Sequence, residues 1–268
     1  MKNAHDRMSS RVWVRRVALG LALLAAGCAG SQPVQVQLPP GARIGVLNLV
    51  EPWMTHIQMG ALRFNSFTNT YPVDWDLAGR LTHRIEANLT PRGTFTFVPI
   101  AVDAAPGWAQ SMSDAIQSTV TTWMSGDLRR FLQQTAVENR LDLIVTVSSY
   151  GTGTRPPDSC FRIFKTDLPT QGYGVFTRMS AVPGNQWVPV GGNHAHAYAN
   201  ILTAVFQTQP FGLAASAFAP CSDAPLSDFP WPADIQVLGA PQFDALRPAV
   251  ESIAAESVRA ALSEAGLY

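Results

Sequence analysis

The chain has 268 residues, 47% of them apolar and 14% charged, with 19 basic groups balanced by 19 acidic ones. That composition excludes a disordered polymer and leaves ample apolar material for a packed core. The first 28 residues hold five of the basic groups and one of the acidic groups, so the remaining 240 carry 14 against 18, a net charge of about −4. No basic surplus is left to neutralise phosphates, which excludes nucleic acid as an expected partner.

In chain order, the first element is a leader. Eleven apolar or small residues, Val17 to Gly27, follow a head containing Lys2, Arg7, Arg11, Arg15 and Arg16. The run is too short to span a bilayer, which takes ~20 residues, and it has the form of a secretory signal. Ala25, Ala26 and Gly27 directly before Cys28 resemble the lipobox of bacterial lipoproteins, although Ala25 stands where that family usually has Leu. The resemblance implies that Cys28 is lipidated, becomes the new N-terminus and attaches the chain to the membrane. In enteric lipoproteins an Asp after that cysteine marks inner-membrane retention, so with Ala29 in its place the resemblance further implies the outer membrane, with the protein facing the periplasm. An ordinary cleaved signal and an uncleaved anchor are the alternatives. The expected organisation is therefore a signal peptide at 1–28, a flexible tether at 29–40 and one periplasmic α/β domain at 41–268.

The domain opens on "ARIGVLNLV" (42–50), a buried strand closed by Glu51-Pro52. Residues 53–73 alternate apolar and polar and predict a hairpin-like insertion turning near Gly60. Leu77, Leu81, Ile85 and Leu89 form one apolar stripe on a helix capped by Asp74 or Asp76 and stopped by Pro91 and Gly93. A strand at 94–100 follows, then a helix over 113–124 with Ile116, Val120 and Trp123 on one face. "GDLRRFLQQTAVENRLDLIVTVSSYG" (126–151) predicts a helix running almost directly into a buried strand. Further strands are expected at 173–180, 196–207 and 212–219, the last two as a hairpin. Five prolines across 220–241 predict a surface loop, and a final helix is expected from about Pro248 to Gly266.

This order predicts an α/β (α+β) fold: a mixed sheet with helices packed on it, in the order β-α-β-α-β, followed by antiparallel strands and a C-terminal helix. On "IGVLNLV" (44–50), "LAGRLTHRIEANL" (77–89) and "FLQQTAVENRLDLIVTVSSY" (131–150), it resembles the small α/β domain of several envelope lipoproteins. These include the periplasmic part of the curli secretion channel, the lipoprotein activators of penicillin-binding proteins and the N-terminal domain of TolB. The 51–73 insertion, the cysteine-containing loops and the proline-rich 220–241 segment depart from that pattern.

Chemistry is harder to read. After residue 28 only Cys160 and Cys221 remain. Two thiols in an exported chain, without CxxC spacing, predict a disulfide rather than a metal site. His194 and His196 fall on one face of a strand and are weak metal candidates, with no third ligand close in sequence. No G-x-S-x-G elbow is present, and the glycines of 149–157 lack the Lys-Ser/Thr ending of a phosphate loop. Trp53, Trp75 and Trp231 lie in long connecting segments, where aromatic anchors for a partner are expected. The resulting expectation is a non-catalytic binding or assembly module without a cofactor, engaging envelope proteins or peptidoglycan. An oligomeric outer-membrane secretion-channel subunit and a periplasmic metal-assisted enzyme are the rival readings. The channel needs lipid-facing strands of ~9–11 residues, and the 155–241 region offers few.

Overall fold

The computed structural model describes residues 35–59, 66–101, 108–121, 124–150, 172–178, 194–219 and 224–268. Cys28, Cys160 and Cys221 lie outside them, and so do the expectations of lipidation and a disulfide. In order, the elements are β1 (Arg43–Leu49), β2 (Trp53–Met59), β3 (Phe67–Pro72), α1 (Leu77–Leu89), β4 (Thr96–Pro99), α2 (Trp108–Thr121), α3 (Gly126–Asn139), β5 (Leu143–Ser149), β6 (Tyr173–Arg178), β7 (His194–Ala199), β8 (Ile201–Thr208), β9 (Phe211–Phe218), β10 (Ala224–Pro225) and α4 (Ala240–Glu264). The architecture is mixed α/β, with a C-terminal helix packed on the strands.

Among the described residues, ten strands divide into two mixed sheets, ordered β4-β1-β5-β8-β9 and β10-β7-β6-β2-β3. In the first sheet β1 runs parallel to both β4 and β5, and β8 and β9 continue it antiparallel. Every residue of β5 is buried, as expected of a parallel strand with helices on both faces. Ile44 and Val46, with Leu143, Val145 and Val147, face α1 and α4; Leu47, Leu49 and Ile144 face α2 and α3. Alternation along each strand thus sends successive side chains into two different cores.

The helices follow from local chemistry. α1 buries Leu77, Leu81, Ile85 and Leu89, and the Asp76 carboxylate caps it by accepting from the Gly79 N–H at 3.1 Å. A Cβ on Gly79 would lie 2.3 Å from Asp76 Oδ2, so a larger residue there would displace the capping carboxylate from its present position. α4 ends in a Schellman motif: Gly266, at φ 75°, donates to the Ser263 carbonyl, and Leu267 donates to that of Leu262. α4 also starts at Ala240, earlier than expected. Pro248 lies inside the helix on its exposed side, where water can satisfy the carbonyl that the missing N–H leaves unpaired. Along the rest of its length α4 packs on β6 and β7 of the second sheet, on β8 and β9 of the first, and on α1.

Two expectations need correction here. The 53–73 segment is a hairpin, but β2 is an inner strand of the second sheet, paired parallel to β6. The single strand expected over 196–207 is two strands, β7 and β8, belonging to different sheets and separated only by Asn200. The Asn200 N–H donates to the Gly172 carbonyl at 2.7 Å, and its own carbonyl accepts from Tyr150 at 3.0 Å. These bonds stitch the sheets together at the joint.

The described part of the expected tether, 35–40, is also no free spacer. Val36 and Leu38 pack on the core, and the Val36 N–H donates to the Ala265 carbonyl. Their alternation with Gln35, Gln37 and Pro39 supplies an apolar side for that contact.

Candidate functional site

The strand order places a crevice. The crossover from β1 to β4 carries α1 on one face of the first sheet, and that from β4 to β5 carries α2 and α3 on the other. Because β4 and β5 flank β1 on opposite sides, the winding reverses between β1 and β5. In open α/β sheets, ligands bind just beyond the carboxyl ends of the strands at such a reversal.

A cleft of about 250 Å³ lies there, lined by Glu51, Trp53, Thr55, Thr70, Gln110, Ser149 and Gly172. Glu51 lies two residues beyond the end of β1, and Ser149 ends β5. Trp53 and Thr55 come from β2, Thr70 from its hairpin partner β3, and Gln110 from the first turn of α2. Gly172, at φ 65°, takes the left-handed conformation that glycine accepts without strain as the chain enters β6. Both sheets therefore supply the wall.

Glu51 is half-buried, and burial raises its carboxyl pKa above the ordinary value. Its backbone carbonyl accepts from the Tyr173 hydroxyl at 3.0 Å; among the described residues no hydrogen-bond or ionic partner meets its carboxylate. Burial and the nearby Glu51 charge in turn hold the Tyr173 hydroxyl protonated well beyond the phenol range. The Tyr198 hydroxyl donates to the Thr55 carbonyl at 3.2 Å, fixing the floor strand. Glu51 is the one ionisable group among the described lining residues. The site can form hydrogen bonds in many directions, and it offers one carboxylate and one indole.

The three tryptophans part company. Trp53 is 44% exposed and lines the cleft, while Trp75 is 3% exposed, with its ring 5.8 Å from that of Tyr173. Trp75, just before α1, is packed into the core with residues of α1 and α4 and does not face a partner. Trp231 is half-buried against the core in an edge-on contact with Phe229. Its segment is structural cover: β10 pairs with β7, Phe229 and Leu238 are buried, and the Gln236 carbonyl accepts from Asn69 and Tyr71.

His194 and His196 do share a face of β7, their ring centroids 6.4 Å apart. Arg178 stands directly opposite His194 in the ladder, a guanidinium beside any cation seated there. Among the described residues no group of three or more His, Cys, Asp or Glu side chains could hold a metal ion. No helix among them is long and apolar enough to cross a membrane.

Of the described cleft residues, only Trp53 stands out in the sequence as a candidate. Glu51 reads there merely as the end of a strand. The available signal was its position, an acid directly after a buried aliphatic run in a βαβ pattern.

No family model matches the chain, and no curated protein matches it. Among solved structures, the hypothetical protein CT253 from Chlamydia trachomatis is similar at 9% identity, over 81% of this chain and 98% of that one, with a TM-score of 0.27. A likeness that slight carries no inference.

Proposed function

We propose that this chain is a lipid-anchored lipoprotein of the bacterial cell envelope, held at the outer membrane through Cys28, whose α/β domain binds other envelope components and catalyses nothing. The basic head, short apolar run and Ala-Ala-Gly-Cys sequence support the address. One observation carries the binding function: a polar cleft at the reversal point of the first sheet with an exposed indole on its wall. Large aromatics are usually covered, and those left at a concave site are the residue type that anchors partners. Glu51 is the one carboxyl group among the described lining residues. General acid–base chemistry on glycosidic bonds ordinarily uses two carboxyl groups.

The test is site-specific photo-crosslinking in cells. A photoreactive residue at position 53 should give adducts in the envelope fraction, and one at Val137, 78% exposed on α3, should give few. Cys28→Ala should abolish acylation, release the chain from membranes and reduce the position-53 adducts. Equal adducts from positions 53 and 137 would overturn the binding site. A Cys28→Ala chain that stays with membranes after a carbonate wash would overturn the anchor.

A further inference from the structure

We propose that the cleft beyond β1 and β5 seats a pyranose ring of an envelope glycan, stacked on Trp53, with its hydroxyls held by Glu51, Ser149 and the threonines of β2 and β3. This deepens the envelope-binding reading and rests on it. A sugar ring has two kinds of surface. Its faces present C–H bonds with partial positive charge, which suit the electron-rich face of an indole. Its rim presents hydroxyls, each of which must both donate and accept when taken out of water.

The cleft offers the matching groups. Trp53 is exposed and leads β2, opposite Pro72 of β3, on a hairpin built into the sheet rather than a free loop. The Thr55, Thr70 and Ser149 hydroxyls can donate and accept, and the Glu51 carboxylate accepts only. That carboxylate is already partly stripped of water and has no partner among the described residues, so a ligand hydroxyl would satisfy it at little further desolvation cost. At about 250 Å³ the cleft falls just below the ~300–1,000 Å³ of pockets that enclose drug-sized ligands, which suits one ring of a longer chain better than a whole folded partner.

Other ligand chemistries fit less well. No Lys or Arg is among the described lining residues, so a phosphate or carboxylate ligand would face Glu51 without compensation. An apolar ligand would strand the polar wall. A cationic group is the serious rival, since an indole and a carboxylate attract one. Neutral hydroxyl and amide groups make up most of the polar lining, which favours hydroxyls.

The experiment titrates the full mature chain, in a sugar-free polyoxyethylene detergent, with an N-acetylglucosamine tetramer, with maltotetraose and with Nα-acetyl-lysine amide. Indole N–H resonances and titration calorimetry provide the readouts. At least one tetrasaccharide should bind, and which one does distinguishes an amino-sugar glycan from a plain glucan. Trp53→Ala should weaken that binding about tenfold or more and Glu51→Gln about fivefold, with the urea midpoint unchanged. Should Trp53→Ala shift the midpoint, Trp53→Leu, which keeps apolar bulk without the π face, should show the same loss. Binding of neither saccharide, of the lysine derivative alone, or of a saccharide equally well by both Trp53 variants would each overturn the glycan assignment. Position-53 crosslinks to a protein, obtained alongside any of those results, would leave the envelope-binding reading standing. Their absence would remove both.

Discussion

The two sheets bury their residues by different means. The first is sandwiched between helix layers, and its inner strands are near-continuous aliphatic runs: "IGVL" in β1, "LIV" in β5 and "IL" with "VF" in β8. The second is built around small and polar residues. Ala195, Ala197 and Ala199 of β7 let α4 approach closely, and His56, Gln58 and Thr177 are buried together on one face. There His56 Nε2 donates to the Thr177 hydroxyl at 2.7 Å, and that hydroxyl donates to Gln58 Oε1. Hydrophobic volume specifies the first sheet, whereas close approach and a directional polar network specify the second. Such a network demands particular residues where an aliphatic core accepts many.

Substitutions can break that contrast from either side. Phe206→Ala attacks volume. The ring is fully buried on the α2/α3 side of the first sheet and stacks on Phe211 at 6.3 Å. Its loss should cost about 4 kcal/mol, read as a lower urea midpoint at unchanged slope.

Gly174→Ala attacks close approach in the second sheet. A Cβ there would lie 1.9 Å from the Thr55 carbonyl oxygen, and the Tyr198 phenol reaches that same oxygen from the far side of Gly174. Backbone cannot swing aside as a side chain can, so the expected cost is about 3 kcal/mol. A neutral result would mean that the β2–β6 register does not need its glycine.

The polar network predicts a pH dependence of its own. Burial lowers the His56 pKa from 6.5 to about 4. Between those values the unfolded chain binds the proton and the folded chain does not, so stability is intact above pH 6.5 and falls as the pH drops toward 4. The loss approaches about 3 kcal/mol and adds nothing further below pH 4. His56→Gln should flatten that slope in urea titrations run from pH 7 to pH 4. An unchanged slope would place the acid sensitivity elsewhere.

The smallest effect is a gain. α3 ends with Arg140 at φ 52°, a left-handed position where glycine is at ease. The side chain is exposed, so Arg140→Gly should raise stability by about 0.5 kcal/mol, the relief of strain exceeding the added flexibility of the unfolded chain. A loss on calorimetry would show that the arginine contributes something its backbone strain conceals.

The same contrast explains how far sequence reading went. α1 was legible almost residue by residue, because Leu77, Leu81, Ile85 and Leu89 repeat at a spacing only a helix can use. β1 and β5 were legible as aliphatic runs. The second sheet was not, because its members come from 53–72, 173–178, 194–199 and 224–225, and no local period links them. Asn200 divides one continuous extended segment, HAHAYA before it and ILTAVFQT after it, with no Gly or Pro to mark the joint. Pro248 misplaced a helix start because sequence does not say which side of α4 meets water. The cleft was least legible. Its lining spans Glu51 to Gly172 and is gathered by the strand reversal, so Trp53 stood out by residue type, and Glu51 and Ser149 only once the order β4-β1-β5 was known.

The one-residue joint at Asn200 also bears on how the molecule opens. β7 and β8 are successive stretches of a single extended segment, each locked into its own sheet, and α4 lies across both. Neither sheet can peel away without pulling the shared segment and its covering helix out of the other. The backbone amides of β6 and β7 should therefore exchange with deuterium through the same opening event as those of β5 and β8, with one common free energy. On that account the domain has no detachable half, and a proteolytic fragment containing one sheet would not keep its structure.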